Sequence, residues 1–103
     1  MKDQIRKWLV EQVGEEDQTL LETIYADYVS TVGEQLTKAE VEIARGDFAA
    51  LDVTAHTLKG STSTVGDTET YDAVMALRDA AKASDSAAAQ TALSRLLELK
   101  AQM

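Results

Sequence analysis

Cysteine and proline are both absent from this 103-residue sequence, and each absence limits what the chain can be. Without cysteine the chain has no disulfide framework, no thiolate metal site and no cysteine nucleophile. Without proline nothing interrupts long helices, and aromatic residues, at only 5%, give little support for a sheet. We therefore expect an all-α protein, and its length fits one domain spanning residues 1–103.

Long apolar runs and an excess of positive charge are missing as well. No segment approaches the roughly 18 uncharged apolar residues of a membrane span, and the N-terminal stretch lacks the apolar region of a signal peptide. Eighteen acidic against ten basic residues give a net charge of −8, which repels nucleic acid and anionic lipid. We expect a cytoplasmic protein that binds neither nucleic acid nor membrane. The net negative charge is consistent with a role in keeping the protein soluble, or with electrostatic attraction to a partner whose binding surface has a basic rim.

Apolar residues recur at helical spacing in five segments. The predicted helices begin at residue 2, at Asp17 or Thr19, at Asp47, at Asp67, and at Ser84 or Asp85, and the first three end at Gly14, Gly46 and Gly66. Because short connections between long helices favour antiparallel neighbours, the predicted fold is an antiparallel up-down four-helix bundle with a short additional N-terminal helix.

Two finer predictions concern a helix end and the core. Thr19, followed three residues later by Glu22, fits a capping box at the start of the second helix. The fifth helix is predicted to turn one apolar stripe inward, consisting of Ala89, Leu93, Leu96, Leu97 and Met103.

The only histidine, His56, lies in the third predicted helix, one turn before a glycine. On a helix that advances 100° per residue, the core residue Leu58 is about 160° away, so His56 points away from the apolar stripe. The same face holds Asp52, Gly60 and Ser63 within about 40° of His56, and Lys59 within about 60°.

This exposed face suits a phosphoryl acceptor. A free imidazole, with a pKa of about 6.5, is mostly neutral at pH 7 and can attack phosphorus through a ring nitrogen. Lys59 offers an ammonium for the negative oxygens, and Gly60 removes a side chain that would stand between the ring and a partner. Ser63 extends the cleared surface, and Asp52 is a candidate to bond the second ring nitrogen. Composition and spacing alone also fit an ordinary solvated histidine beside an incidental glycine.

The stretch HTLKGSTSTVG, residues 56–66, resembles the signature of histidine-containing phosphotransfer (HPt) domains. That signature runs H-x-L-K-G-S/A, then small residues, an aliphatic residue and glycine. HPt domains are helical bundles of about this length, with an exposed phosphorylated histidine midway along a helix. The resemblance implies that His56 takes the phosphoryl group on the nitrogen remote from the backbone, that Lys59 lies beside it, and that Gly60, Ser63 and Asp52 form the docking face.

The sequence departs from the HPt pattern at four positions. Asp67 and Thr70 stand where the family usually has apolar residues, Arg78 stands where an acidic residue is frequent, and Thr62 is bulkier than usual. These departures concern the packing of the next helix and the choice of partner more than the acceptor histidine.

The resemblance implies a free-standing phosphorelay intermediate that accepts a phosphoryl group from the receiver domain of a hybrid histidine kinase and passes it to the receiver domain of a response regulator. Such a carrier is not an enzyme. The receiver brings the aspartate, the Mg²⁺ and a lysine, so the chain itself needs no cofactor, nucleotide or metal site. A single acceptor helix gives no reason to expect a dimer, so a monomer is predicted.

Three alternatives to this interpretation are open. The chain could be a non-catalytic helical adaptor that binds a receiver-like partner through the same face without phosphorylation. It could also be an HPt module of a longer kinase, although the initial Met1 favours a complete small protein. Metal binding is the weakest reading, because one histidine flanked by Asp52 and Glu69 makes a poor site and no histidine pair exists.

Overall fold

The computed structural model describes residues 1–14 and 17–103, and over these ranges the chain is all-helical, without strands. Its five helices are α1 (Asp3–Val13), α2 (Gln18–Arg45), α3 (Phe48–Val65), α4 (Thr68–Lys82) and α5 (Ser86–Ala101). All five predicted helices are present, so the all-α fold class expected from the sequence is confirmed.

Local residues set the helix ends. Each of α2 to α5 begins after an aspartate whose carboxylate accepts a hydrogen bond from the backbone N–H three residues on: Asp17, Asp47, Asp67 and Asp85. The helices α1, α2 and α3 end at glycines in the left-handed conformation: Gly14, Gly46 and Gly66.

The predicted capping box at Thr19 is wrong. Asp17 Oδ1 accepts from the N–H of Leu20 at 3.1 Å, and Thr19 already lies inside α2, where its carbonyl accepts from the Thr23 hydroxyl. Asp17 lies two residues earlier and already caps the N–H of Leu20, the third residue of α2. Thr19 is therefore inside the first turn, where it cannot act as the N-cap.

The four longer helices pack in a closed ring, because α3 contacts α2 and α4, and α5 contacts α4 and α2. Their apolar stripes meet in one core that includes Val32, Leu36, Leu51, Leu58, Leu77 and Leu96. In α5 the prediction for Leu97 is wrong, since that side chain is 40% exposed, whereas Leu99 is buried. Leu93 and Leu99 lie about 60° on either side of the buried Leu96, and Leu97 lies about 100° away, outside this stripe.

The short helix α1 packs across α2 and α3, near the end of α3. Ile5 and Leu9 are its buried residues. The Trp8 ring covers Gly66, where an added Cβ would come within 2.5 Å of Trp8 Cγ, and the indole N–H donates to the Thr64 carbonyl at 3.0 Å. Helix α1 therefore fixes the C-terminal end of the helix that carries His56.

Hydropathy gives a further constraint on the described residues. None of the helices in residues 1–14 and 17–103 combines the length and the apolar character that crossing a bilayer requires.

Candidate functional site

The centre of the candidate site is His56, the ninth of the 18 residues of α3. Asp47 caps the start of this helix and Gly66 ends it, so His56 lies on a fully hydrogen-bonded stretch of backbone away from both ends. The opposite side of α3 is buried, through Leu51, Thr54, Ala55, Leu58, Thr62 and Val65. Burial of this face fixes the rotation of α3 and leaves the His56 side chain exposed.

The sequence-predicted residues all lie on α3, and the structure separates them by exposure. His56, Gly60 and Ser63 are exposed, whereas Asp52 and Lys59 are half-buried. Helical geometry rotates Asp52 and Lys59 by about 40° and 60° to one side of His56. Gly60 is rotated by about 40° to the other side, so the charged residues and the glycine lie on opposite sides of the histidine.

The charged flank, formed by Asp52, Lys59 and Arg78, faces α4. Arg78 Nε in α4 lies 3.5 Å from Asp52 Oδ1, so the Asp52 carboxylate is paired across the helix interface. Among the described residues, His56 donates no hydrogen bond to the Asp52 carboxylate, and Lys59 forms no salt bridge. The assignment of Asp52 and Lys59 to the site remains a prediction.

The open flank, formed by Val53 and Gly60, lies on the other side of His56, toward α2. A Cβ atom added to Gly60 would meet no heavy atom within 4 Å, so the fold itself does not require a glycine there. Val53, about 60° from His56 on the same side, is 66% exposed, more than any other large apolar side chain in the described part of the chain. An uncovered valine beside an uncovered glycine makes this flank the accessible approach to the ring.

The histidine lies apart from three clefts found among the described residues. Three clefts among the described residues have volumes of about 500, 260 and 310 Å³, and His56 lines none of them. Ser63 borders the first of these, between α1, α3 and α4, together with Trp8 and Tyr71. His56 therefore lies outside all three clefts, on the exposed face of α3.

Two of the departures from the HPt pattern, Asp67 and Thr70, belong to one buried network. Asp67 is 1% exposed, and its Oδ2 accepts hydrogen bonds from the Thr70 hydroxyl at 2.7 Å and the Tyr28 hydroxyl at 2.8 Å. Lys2 Nζ lies 3.1 Å from Oδ1 and ties α1 to the start of α4. The polar residues at 67 and 70 therefore satisfy each other inside the core.

Ionisation in this network follows from the same contacts. Burial by itself raises the pKa of the Asp67 carboxyl, but the hydrogen bonds from Thr70, Tyr28 and Lys2 outweigh it and hold the pKa below its usual value. Burial, and then the hydrogen bond to Asp67, raise the pKa of the Tyr28 phenol well above its ordinary range. Asp67 is thus a buried anion that joins α1, α2 and α4.

The family comparison agrees with this geometry. The family model described as Hpt domain matches residues 23–103, which include the whole of α3, α4 and α5. The chain belongs to the Hpt domain family. Hpt domains serve phosphotransfer in two-component signalling and interact with receiver domains. No curated protein and no solved structure gave a match.

The Hpt match includes every residue of the charged and open flanks but none of α1. Sequence reasoning found the residues around His56 because they follow one another at helical spacing within α3. In the sequence Arg78 stands out only as a departure from the Hpt pattern, and its pairing with Asp52 is visible only in the structure. The available signal for this ion pair was the presence of opposite charges on two consecutive predicted helices. It could not be used, because the sequence does not specify how α3 and α4 are aligned.

Proposed function

We propose that this Hpt domain is a phosphorelay carrier in which His56 accepts a phosphoryl group from a receiver-domain aspartate and passes it to the aspartate of a second receiver. The donor receiver would belong to a hybrid histidine kinase and the recipient to a response regulator. The chain would act as a monomer on an antiparallel up-down four-helix bundle. The closed ring of contacts among α2, α3, α4 and α5 supports that arrangement.

The observation that carries this proposal is the open space beside an exposed histidine. A glycine in a helix interior costs about 1 kcal/mol relative to alanine, and at Gly60 no neighbouring atom explains it. The space lies on the face of His56, where the phosphoaspartate of a receiver has to come within bonding distance. Because His56 lines none of the described clefts, the receiver is expected to enclose the reacting atoms.

The chemistry requires a neutral imidazole with its proton on Nδ1. The Nε2 lone pair attacks phosphorus, the bond from phosphorus to the aspartyl oxygen breaks, and the electron pair leaves with the carboxylate. The ring then carries the phosphoryl group on Nε2 and the original proton on Nδ1. In the second half, a carboxylate oxygen of the recipient attacks phosphorus, and the N–P bond breaks to restore the neutral ring.

Within this scheme the chain supplies the nucleophile and its surroundings. Lys59, one turn along from His56, would place its ammonium near the phosphoryl oxygens. Gly60 would let the receiver approach, and Ser63 and Asp52 would contribute to the docking face. Mg²⁺ would be bound by the receiver, where it neutralises phosphoryl charge during transfer, so no cofactor is proposed for this chain.

A transfer assay tests the proposal. A receiver domain carrying labelled phosphoaspartate is mixed with the chain and Mg²⁺, and the chain is expected to gain label that survives alkali and is lost in acid. The variant His56→Gln should gain none while melting at the wild-type temperature. If the wild type binds charged receivers but stays unlabelled with a panel of them, the carrier proposal is wrong and the adaptor alternative is favoured.

A further inference from the structure

The ion pair between Asp52 and Arg78 has an unusual geometry for two charges packed between helices. Arg78 Nε and Asp52 Oδ1 are 3.5 Å apart, and the side chains are 22% and 39% exposed. Both atoms are buried, and neither has a hydrogen-bond partner among the described residues. Charge-assisted hydrogen bonds close to about 2.7–2.9 Å. The pair therefore neutralises charge without forming the hydrogen bond that would make it most stabilising.

The pair lies next to His56, so the charge of Arg78 also affects the surroundings of the acceptor ring. Asp52 lies one helical turn before His56, and side chains at this spacing have Cβ atoms about 5–6 Å apart. Phosphorylation would add negative oxygens at the His56 ring, and an unpaired carboxylate this close would repel them. The positive guanidinium of Arg78, with Nε 3.5 Å from Asp52 Oδ1, offsets the negative charge of the Asp52 carboxylate.

We infer that Arg78 is a positioning residue for phosphotransfer, which acts through Asp52 by holding and neutralising its carboxylate so that His56 can accept a phosphoryl group. This inference rests on the proposed function. Arg78 need not touch the phosphoryl group. By pairing with Asp52, Arg78 cancels a negative charge on the charged flank that would otherwise repel the phosphoryl oxygens.

The size of the effect follows from Coulomb's law. One carboxylate about 6 Å from one negative charge, at an effective dielectric constant between about 40 and 80, corresponds to about a three- to tenfold change in rate. Arg78→Ala should therefore slow phosphorylation of His56 by about this factor and shorten the phosphohistidine lifetime. Arg78→Lys, which keeps the charge, should recover most of the rate.

The experiment uses the full chain and phosphoramidate, a small phosphoryl donor that requires no docking surface. Labelling rate and phosphohistidine half-life are measured for the wild type, Arg78→Ala, Arg78→Lys, Asp52→Asn and the double variant Asp52→Asn/Arg78→Ala. The matched control is Arg95→Ala, because Arg95 in α5 forms an exposed ion pair with Glu98 at 3.7 Å. Thermal unfolding of each variant is recorded so that all rates are compared between folded proteins.

Four results support or overturn the inference. It is supported if Arg78→Ala is slow, the double variant returns to within about twofold of the wild type, and Arg95→Ala is unchanged. It is overturned if Arg78→Ala lowers the melting temperature but labels at the wild-type rate, since its role is then structural. It is also overturned if removing Asp52 fails to rescue Arg78→Ala. A wild type that neither phosphoramidate nor charged receivers can label overturns the proposed function, and the inference with it.

Discussion

Substitutions at Gly60 separate the stability of the helix from access to its histidine. Gly60 lies inside α3 with no heavy atom within 4 Å of an added Cβ, so alanine fits without any shift of neighbours. Gly60→Ala should gain about 0.8–1.0 kcal/mol in the free energy of unfolding from helix propensity. For a domain of this size that gain raises the melting temperature by about 4–8 °C.

The Gly60→Gln substitution tests whether the open flank gives a receiver access to His56. Glutamine is a good helix former, so the variant should also be at least as stable as the wild type. Its side chain would occupy the open flank, and transfer from a charged receiver should fall by tenfold or more, which corresponds to about 1.4 kcal/mol. Labelling by phosphoramidate should stay within about twofold, because a small donor needs little room.

Two matched controls belong to this assay. Gly33→Ala in α2 places its Cβ 3.5 Å from Lys100 Cε, an ordinary contact, and should give a similar gain in stability with unchanged transfer. Ala44→Gln adds the same side chain at an exposed position of α2 and should change neither property. The access argument is refuted if Gly60→Gln accepts phosphoryl from the receiver at the wild-type rate. A destabilised Gly60→Ala would refute the claim of open space.

The remaining predictions concern Lys59, the glycine that ends α3 and the buried Asp67. Lys59→Ala should slow transfer or shorten the phosphohistidine lifetime at an unchanged melting temperature, with Lys38→Ala as the exposed control, and a large loss of stability would show a structural role instead. Gly66→Ala should lose at least about 1–2 kcal/mol in a denaturation experiment, because φ is +69° and the Cβ would lie 2.5 Å from Trp8 Cγ. The double variant Trp8→Ala/Gly66→Ala would lack the clash but keep the backbone strain. If Gly66→Ala costs as much stability in the Trp8→Ala background as in the wild type, the clash with Trp8 is not the cause of the loss. The pKa of the Asp67 carboxyl is lower in the folded protein than in the unfolded chain, where it is about 3.9. The carboxylate therefore contributes fully to stability above the unfolded-state pKa, and this contribution is lost as the pH falls through the lower folded-state pKa. The stability difference between wild type and Asp67→Asn should therefore shrink below about pH 4, and a difference that grows on acidification would contradict the sign.

Local signals predicted most of the fold. Aspartate caps and glycine ends act within three or four residues, so the limits of α3 could be read from Asp47 and Gly66 alone. The error at Thr19 arose where two local signals overlapped, since Asp17 and Thr19 could each begin α2. The error at Leu97 has another cause: the rotation of α5 is set by the stripes of α2 and α4 that it packs against, which its own sequence does not specify.

In the candidate site too, what could be predicted depends on whether a feature lies within one helix or between two helices. The face around His56 was predictable because Lys59, Gly60 and Ser63 are related to it by helix geometry alone. The contacts that cross between helices were not, because they depend on how neighbouring helices are aligned. Arg78 reaches Asp52 from α4, and Tyr28 reaches the buried Asp67 carboxylate across 39 residues of sequence.

The exposed position of His56, outside the three clefts, also has a kinetic consequence for the proposed relay. In the proposed relay a single ring accepts the phosphoryl group, so a donor receiver and a recipient receiver would need the same surface and could not be bound together. Charging and discharging would then alternate, as in a ping-pong mechanism, and an excess of unphosphorylated recipient should inhibit the charging step by occupying the shared surface. The concentrations of the two receivers would set how long each phosphoryl group stays on this chain.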